Sequence, residues 1–449
     1  MAGDRSILCT VGELAAPIKN ALVGGPFGSD LGSADYVPSG VPVIRGQNLS
    51  NGKFVGGDCV YVSESKADKL KSNLARPGDL VFTQRGNAVL HGGQVAIVPD
   101  GKFDRYVVSQ SQMKLTPDSS KVDSRFLYFV FSSSDYSHYL RSNAIVTGVP
   151  HINLSLLRDY QLYLPPLAEQ RAIAAVLGAL DDKIELNRRM NATLEAMARA
   201  LFQSWFVDFD PVRAKLDGRE PAGMDAETAA LFPDGFKESE LGHIPTGWHA
   251  IPLYDTAQWV NGAAFRSEDF CATGEGLPVI KIAELKDGIS TQTKWCQRDA
   301  APEKIIDTGD LLYSWSGSPD TSLEAFLWSS GRGLLNQHIF KVISPTAAEK
   351  RFVYYLLQHL RPLLVETARN KQTTGLGHVT IVDMKRLLVC MPNKGVLSAF
   401  DRNIATIFDR AFTNTLESRT LATLRDTLLP KLLSGELSVA DVEHTMENA

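Results

Sequence analysis

The side chains of this chain that could carry out specific chemistry are polar groups on loops, and they form two similar sets. Arg, Asn, Gln, Glu and Asp side chains carry forked donors or acceptors that match the edges of DNA bases, and a loop position lets them enter a groove. The first set contains Phe27, Gly28 and Ser29 in a Gly-rich turn, Arg45, Gln47 and Asn48 after VPVI, Gln84, Arg85 and Asn87 after DLVF, and Thr147 and Asn153 in TGVPHIN. The second set contains Phe265, Arg266, Ser267, Lys281, Glu284, Ser314, Trp315, Ser316, Arg369, Lys371, Gln372 and Thr374. For any single residue an ordinary solvated loop explains the sequence equally well, so base reading is predicted for the groups.

The two sets differ in their polar side chains. IRGQN in the first set corresponds to IKIAE in the second, and TQRGN corresponds to SWSGS. Different donors and acceptors would read different base sequences, which predicts an asymmetric target. The basic run from Arg369 to Gln372 suits phosphate contact, which positions a protein on DNA without specifying sequence. The shared His151 and His378 are interpreted as structural, with base or phosphate contact as the alternative.

Motifs for catalysis are missing from the sequence. LPPL lacks the acid or amide of an adenine methyltransferase strip, GGPFGS lies outside any βαβ context, and no GxxxxGK[ST] loop occurs. Asp307 and Asp310 more simply cap turns, the nine histidines never form HxxxH, and the five cysteines are never spaced CxxC. The sequence therefore predicts a non-catalytic chain without a metal or a cofactor.

The chain contains an internal repeat. TGVPHIN at 147–153 recurs as TGLGHVT at 374–380, and LPP at 164–166 recurs as MPN at 391–393, each 227 residues later. PVI and GDL recur with shifts of 236 and 231. Short apolar runs between turn residues, followed by one apolar segment with helical character, predict an α+β head in each half. The boundaries are 1–165 and 244–393 for the heads, 166–207 and 394–437 for two helical segments, 208–243 for a linker and 438–449 for a tail.

Composition sets the remaining limits. The chain has 449 residues, of which 44% are hydrophobic and 22% are charged, and this is typical of a globular protein with more than one domain. No apolar run of membrane-spanning length and no signal peptide is recognised, which favours a cytoplasmic protein without a membrane. From Asp208 to Glu240 there are nine acidic and four basic residues, and this excess of five equals the net charge of −5. Because the acidic linker accounts for the whole net charge, the rest of the chain is formally neutral and the heads can present a basic face.

Two long helices with a narrow apolar stripe are predicted. The stripe of the first is Ile173, Leu177, Leu180, Ile184, Asn187, Asn191, Leu194, Ala198 and Leu201. The stripe of the second is Phe400, Ile404, Ile407, Ala411, Asn414, Ser418, Leu421, Arg425 and Leu428. Steps of three and four are typical of a coiled coil, and a buried Asn fixes its register. We predict an antiparallel pair in which Asn187 and Asn414 meet near a pseudo-twofold axis; the alternative is two unrelated helices, each lying on its own head.

The motifs GGPFGSDL, GVPVIRGQNLS, LYLPPLAEQRAIAAVLGALDDKIELNRRMNATLEAMARALFQSWFVDFDPV, LGHIPTGW and LRDTLLPKLLSGEL resemble the specificity subunit of type I restriction-modification enzymes. The resemblance covers nearly the whole chain. It implies two target recognition domains that each read half of a bipartite DNA sequence, held apart by an antiparallel helical spacer. It also implies partners, namely two methyltransferase subunits and two motor-nuclease subunits, to which the chemistry belongs.

Contacts with such partners are predicted at the ends of the first helix. The candidates are Glu169, Gln170, Arg171, Trp205, Phe206 and Phe209, because large aromatic side chains are enriched at interfaces. These residues could equally belong to the core of the chain itself. The rival hypothesis for the whole chain is a catalytic protein or a scaffold whose repeated heads bind a ligand other than DNA. The sequence reveals neither half-site nor the gap between them, nor whether the complex cleaves DNA or only methylates it.

Overall fold

A computed structural model describes residues 6–50, 53–54, 56, 59–91, 93–372 and 376–447. The chain divides into two compact units. The first unit is Met1–Ile184 together with Arg419–Ala449, and the second unit is Glu185–Ser418.

The first unit contains two sheets and a ribbon of two strands. The antiparallel four-stranded sheet has the order Val95–Ile97, Leu80–Thr83, Gln112–Leu115, Leu22–Gly24. The five-stranded sheet has the order Tyr36–Val37, Val60–Val62, Val41–Ile44, Tyr106–Val108, Leu74–Ala75, and only its third and fourth strands run parallel. The ribbon is Ile7–Thr10 with Gln161–Leu164, and a further short strand pair is Leu49–Ser50 with Lys53–Phe54. The helices are Glu64–Lys69, Ser124–Ser132, Ser134–Asn143, Leu154–Arg158 and Val439–Glu447.

The second unit repeats both sheets in the same strand order. Its four-stranded sheet is Gln258–Asn261, Ile339–Ile343, Leu311–Ser314, Glu324–Leu327, read from the opposite edge. Its five-stranded sheet is Phe270–Cys271, Trp295–Cys296, Leu277–Ile280, Gly333–Leu335, Ile305–Ile306, again with the third and fourth strands parallel. The ribbon is His249–Pro252 with Leu388–Met391, and short pairs are Phe236–Ser239 with Gly242–Pro245 and Ser316–Gly317 with Gly377–His378. The helices are Asp210–Leu216, Ala226–Ala230, Ile282–Asp287, Pro319–Ser322, Ala347–Arg369 and Ile381–Arg386. The α+β class and the internal repeat are thus confirmed.

The repeated sequence GDL positions an ion pair in each unit, buried in the first unit and half-buried in the second. Gly78 and Gly309 have φ of +87° and +94°, which only glycine adopts without strain. The next residue, Asp79 or Asp310, accepts a hydrogen bond from a main-chain N–H three residues earlier and so caps the turn. Its carboxylate also faces a lysine of the central strand: Asp79 lies 3.6 Å from Lys114, and Asp310 lies 2.9 Å from Lys341. The motif is therefore structural in both units.

One predicted helix is divided in the structure. The apolar stretch 125–142 forms the helices Ser124–Ser132 and Ser134–Asn143. Ser133 separates them because its hydroxyl accepts from the Tyr136 N–H and caps the second helix. The corresponding stretch of the second unit has no such serine and continues as one helix, Ala347–Arg369.

The two long helices are Leu167–Phe206 and Lys394–Ser434. All eighteen residues of the predicted stripes are buried or half-buried. Within the second unit the helices run antiparallel, since Asn187 donates to Ser418 at 3.3 Å whereas Asn191 donates to the Ala411 carbonyl at 3.0 Å. Asn187 also donates to the Asn414 carbonyl at 3.4 Å, and both asparagines are fully buried. The predicted meeting of these two residues is observed, and their role in fixing register stays a prediction.

Equivalent ion pairs attach each head to a long helix. In the first unit Arg125 contacts Asp182 at 2.7 Å, and in the second unit Arg351 contacts Asp409 at 2.9 Å. Asp182 and Asp409 differ by 227, the repeat distance. The repeat therefore extends to the way in which each head packs on its helix.

The acidic stretch 208–243 is folded, which corrects the interpretation as a simple linker. It contains the helices Asp210–Leu216 and Ala226–Ala230 and one complete strand of a hairpin. Val212 and Phe232 are 0% and 1% exposed in the core of the second unit. A few apolar residues between the acidic ones are enough for this packing, although they form no long periodic pattern in the sequence.

Glu195 of the first long helix packs against a head helix in the second unit. The Tyr354 hydroxyl donates to Glu195 Oε1 at 3.1 Å. Burial raises the pKa of the Glu195 carboxyl, and the hydrogen bond from Tyr354 and the charge of Arg199 oppose this shift without reversing it. The carboxylate is therefore less stable in the folded unit than in water.

Replacing Glu195 by Gln should raise the Tm of the second unit at pH 7 to 8, because the amide oxygen still accepts from Tyr354 without a buried charge. The folded-state pKa lies above the unfolded value, so the wild-type carboxylate destabilises the fold as pH rises through the raised pKa. The gain from E195Q should therefore shrink as pH falls toward about 4.3. Thermal unfolding followed by Trp fluorescence measures it, since all 6 Trp residues lie in this unit. E366Q, at an exposed glutamate of the same unit, should lack this pH dependence, and a gain that is equal at all pH values would contradict the prediction.

Candidate nucleic-acid interface

Four loops meet at one end of the four-stranded sheet in the first unit. We call residues 25–31, 84–87, 109–112 and 145–152 the first rim. The Gly25 N–H donates to the Gln112 carbonyl at 2.8 Å, and the Gln84 N–H donates to the Ser111 carbonyl at 2.7 Å. The Ile152 N–H in turn donates to the Gln84 carbonyl at 3.0 Å. Main-chain hydrogen bonds thus hold the four loops together, and side chains such as those of Phe27, Arg85 and Thr147 remain exposed.

The second unit builds an equivalent second rim from residues 262–268, 315–318, 336–339 and 376–379. The same three hydrogen bonds recur: Gly262 to Ile339 at 3.2 Å, Trp315 to His338 at 3.3 Å and Val379 to Trp315 at 2.9 Å. A glycine is required where the first loop crosses the third. An added Cβ would lie 1.9 Å from the Ser109 carbonyl oxygen at Gly25, and 2.2 Å from that of Asn336 at Gly262.

The first rim brings together most of the residues predicted for the first head. Phe27, Gly28, Ser29, Arg85, Asn87 and Thr147 are exposed, and Gln84 is half-buried. Arg85 forms an isolated bridge with His151, so the DLVFTQRGN and TGVPHIN loops are neighbours. His151 Nδ1 lies 3.0 Å from the Val149 carbonyl oxygen, which fits the structural role preferred for this histidine.

The second rim presents a different set of side chains. Arg266 and Ser267 are exposed, whereas Phe265, Trp315 and Ser316 are half-buried. The Trp315 indole N–H donates to Asn261 at 3.2 Å, and its ring lies 5.8 Å from that of His338. Ser314 is fully buried in its strand and is unsuitable for base contact.

Three residues that were predicted to read bases have side-chain oxygens that cap a turn or a helix. Asn48 and Glu284 occupy equivalent positions, and each accepts from a main-chain N–H three residues earlier, that of Arg45 at 3.0 Å or Lys281 at 2.9 Å. They are only 2% and 8% exposed. Asn153 accepts from the Leu156 N–H at 2.8 Å and caps a helix. Asn48 and Glu284 are corrections to the sequence prediction, because they are buried and a side-chain oxygen that could meet a base satisfies the backbone. Asn153 is exposed, so base contact by this residue stays a prediction.

The remaining residues of those turns border the rims. Ser109 donates its N–H to the Ile44 carbonyl at 3.0 Å, which places the turn containing Arg45 and Gln47 beside the first rim. Gln47 is exposed and Arg45 is half-buried. Lys281 in the second unit is half-buried, with its ammonium 5.2 Å from the centre of the Phe270 ring.

The basic residues predicted to contact phosphate are engaged within the chain. Arg369 pairs with Asp320, and Lys371 pairs with Asp383. The Lys371 charge and the hydrogen bonds from Thr380 outweigh burial and lower the pKa of Asp383. Gln372 is exposed, and Thr374 lies outside the described residues. A phosphate contact by Arg369 or Lys371 would therefore compete with an existing ion pair.

The residues predicted to contact partners divide into two classes. Glu169 and Arg171 are exposed, whereas Gln170 is fully buried and bonds to the Asp123 N–H and the Pro165 carbonyl at 2.9 and 2.8 Å. Trp205 and Phe206 are 3% and 5% exposed in the core of the second unit. Phe209, half-buried, packs on Trp248 at 5.8 Å between ring centroids. For Gln170, Trp205 and Phe206 the intramolecular alternative is correct, because their own unit already covers them. For the half-buried Phe209 a partner contact stays a prediction.

Sequence reasoning missed the central loop of each rim, 109–112 and 336–339. Both loops link a strand of the five-stranded sheet to a strand of the four-stranded sheet, and both carry polar residues, as SQSQ and NQHI. Gln337 and His338 are exposed, with 3.3 Å between their side-chain nitrogens Nε2. The shift of 227 that relates these loops was the available signal.

Within the described ranges, no group of three or more His, Cys, Asp or Glu side chains could hold a metal ion. No helix among those residues is long and apolar enough to cross a membrane.

Comparison with known proteins agrees with this geometry. The family description "Type I restriction modification DNA specificity domain" matches residues 29–196. The HindI specificity subunit of Haemophilus influenzae is 25% identical over 88% of this chain and 94% of its own length. The MjaIX specificity subunit of Methanocaldococcus jannaschii is 23% identical over 91% of this chain and 89% of its own length. A solved S subunit of a type I restriction-modification system from M. genitalium has the same fold, with a TM-score of 0.53, 15% identity and coverage of 96% of this chain and 97% of that one. These matches support a type I restriction-modification specificity subunit, the class of protein that recognises the DNA target in such systems.

Proposed function

We propose that each unit reads one half of a bipartite, asymmetric DNA target with its rim. The observation that carries this proposal is that the two rims share one backbone arrangement but differ in side chains. Gln84, Arg85 and Ser111 of the first rim correspond to Trp315, Ser316 and His338 of the second. A conserved frame with exchanged donors and acceptors suits two readers of different base sequences.

The two long helices act as the spacer that sets the gap between the half-sites. A helix of forty residues extends about 60 Å at 1.5 Å per residue. Half-sites read from one side of B-DNA lie about 34 to 36 Å apart, centre to centre. A helix of this length is therefore of the order that such a gap requires.

The chain works as the non-catalytic part of a larger complex in the cytoplasm. Two methyltransferase subunits and two motor-nuclease subunits supply the chemistry, and the exposed Glu169 and Arg171 at the start of the first long helix are available for docking. The exposed loop residues Phe27, Gly28, Ser29, Gln47, Arg85, Asn87, Thr147, Arg266, Ser267 and Gln372 are available to DNA.

Selection of the full chain against a library of random duplexes tests the proposal. Two short specified sequences with a fixed gap should be enriched, and binding should weaken steeply with salt as phosphate contacts release counterions. Enrichment of one continuous site, or binding that does not depend on salt, would contradict the proposal. Turnover of a substrate by the purified chain would favour the rival, catalytic interpretation.

Replacing Arg85 by Ala should relax one position of one half-site and leave the other half-site unchanged. A forked Arg contact with guanine discriminates by about 1 to 3 kcal/mol, which corresponds to a loss of preference of about fivefold to 150-fold at that position. Arg76 is a matched control, because it is an exposed arginine before the same strand, Leu80–Thr83, whose other end leads to Arg85. R76A should select the wild-type sequence; relaxation of both half-sites by R85A would argue against separate readers.

A further inference from the structure

Phe27 is a feature of the first rim that hydrogen-bonded reading does not explain. Its side chain is 87% exposed, the largest exposed fraction among the large apolar residues of the described chain. Aromatic side chains normally gain stability by burial. A phenylalanine this exposed, at the edge that we propose binds DNA, is a candidate for contact with that ligand.

The turn that carries Phe27 is held at two points by a residue distant in sequence. Gln110 Nε2 donates to the Leu31 carbonyl at 3.1 Å and also to the Gly28 carbonyl. Inside the turn, the Asp30 N–H donates to the Phe27 carbonyl at 2.8 Å. The close crossing of Gly25 and Ser109 fixes the start of the same loop. The protruding ring thus stands on an ordered base.

The second unit lacks the turn that carries Phe27. Phe265 packs half-buried against Val279, Cys296 and Leu334, the place that Leu31 takes against Val43, Val62 and Val107 in the first unit. Five residues separate Gly25 from Leu31, whereas only two separate Gly262 from Phe265. Protrusion is therefore not imposed by the shared backbone of the rims. It is a property of the first rim, where Arg85 and Asn87 are also exposed.

We propose that Phe27 is a wedge that enters the base stack of the DNA bound by the first rim. The inference rests on the proposed function and assigns a distinct role within it. Apolar side chains inserted between base steps unstack them and kink the duplex, and pyrimidine–purine steps yield most easily. Polar neighbours such as Arg85 hold the backbone or base edges, while Phe27 replaces the stacking that the opened step loses. Gln110 is a positioning residue, because it acts on DNA only through the turn that it holds.

Fluorescence of 2-aminopurine tests the wedge, because this base brightens when it loses its stacking partner. After selection has defined the target, the probe replaces each purine of the half-site read by the first rim in turn. The full wild-type chain should raise the fluorescence several-fold at one step. F27A should abolish this rise and weaken binding about tenfold, the usual effect of losing one base–aromatic stack. Q110A should reduce the rise while the selected sequence stays the same.

Three comparisons make the result decisive. Ile18 is 60% exposed beside the opposite end of the sheet, where Ala16 bonds to Thr116, so I18A should match the wild type in fluorescence and affinity. Replacing the thymines of the half-site by uracil should leave wild-type binding unchanged; a tenfold loss there would show that Phe27 contacts a thymine methyl group and would overturn the wedge. A wild-type complex without brightening, or an F27A complex with full brightening, would overturn it too. Failure to select any bipartite sequence would instead count against the proposed function.

Discussion

Duplication of one heptad in both long helices is expected to lengthen the gap between half-sites by about three base pairs without changing either half-site. The segments are Asn187–Thr193 and Asn414–Thr420, which differ by the repeat distance of 227. Seven residues keep the coiled-coil phase and add about 10 Å to each helix. One base pair of B-DNA takes up about 3.4 Å. Selection against random duplexes measures the new gap directly.

The same insertion turns one half-site about the DNA axis by roughly 100°, so affinity should fall. Three heptads in each helix add about 31 Å, close to one full turn of DNA. That longer variant should recover affinity with a gap about nine base pairs longer. A heptad inserted only into the first helix is the control, because it separates Asn187 and Asn191 from their acceptors and should lower Tm. An unchanged gap, or an altered half-site, would contradict the spacer.

The long helices could be predicted almost to the residue. The predicted segments 166–207 and 394–437 compare with Leu167–Phe206 and Lys394–Ser434. The periodicity of a helix is local, and a narrow stripe limits the partner to another narrow stripe. Because the partner here is a copy of the same segment, the sequence contains both surfaces of the interface. That is why Asn187 and Asn414 could be matched.

The rims could be predicted only in part. Their loops are joined by hydrogen bonds between residues distant in sequence, such as Ile152 with Gln84 and Gln84 with Ser111. No local pattern records these contacts, because strand order depends on packing of the whole sheet. The loop 109–112 was missed for this reason, although it connects the other loops.

Residue type alone did not distinguish side chains that could contact bases from side chains that cap turns. Asn48 and Glu284 have the side chains expected of base readers, yet each satisfies a main-chain N–H. The oxygen that accepts from a base also accepts from a backbone amide. The outcome depends on whether the following residues form a turn, which the polar sequence did not indicate.

The aromatic residues at the end of the first long helix are buried by the segment that follows them in the sequence. Trp205 and Phe206 were predicted as partner contacts because large aromatic side chains are enriched at interfaces. Phe232 of that stretch lies 5.0 Å from Trp205, between ring centroids, and closes the core of the second unit. A few apolar anchors at irregular spacing are enough to fold such a stretch, and periodicity does not detect them.

Replacing Asp79 by Asn is expected to destabilise the first unit by about 3 kcal/mol, because it leaves the buried Lys114 ammonium without an opposite charge. The side chains of Lys114 and Asp79 are only 8% and 5% exposed. Burial lowers the pKa of Lys114, and Asp79 opposes that shift. The amide oxygen of Asn can still accept the hydrogen bond from the Arg76 N–H, so the substitution removes mainly the charge.

The equivalent pair of the second unit provides a matched control. Lys341 and Asp310 are 17% and 27% exposed, so water can solvate the remaining lysine and D310N should cost only about 1 kcal/mol. Chemical unfolding separates the units, because the 6 Trp residues lie in the second unit and report it alone, whereas circular dichroism reports both. D79N should shift the circular-dichroism transition and leave the Trp transition in place, and D310N should shift the Trp transition slightly.

Removing the unpaired charge of Lys114 should restore the stability of the first unit. In the double variant Lys114→Met with Asp79→Asn, an apolar side chain of similar length replaces the ammonium, and most of the lost stability should return. The loss caused by D79N should also diminish as pH rises toward about 10, because the folded unit favours the neutral lysine while the unfolded chain still binds its proton. If D79N and D310N lost equal, small amounts of stability, the aspartates of the two GDL motifs would be simple turn caps, and the buried charge pair would contribute nothing to the first unit.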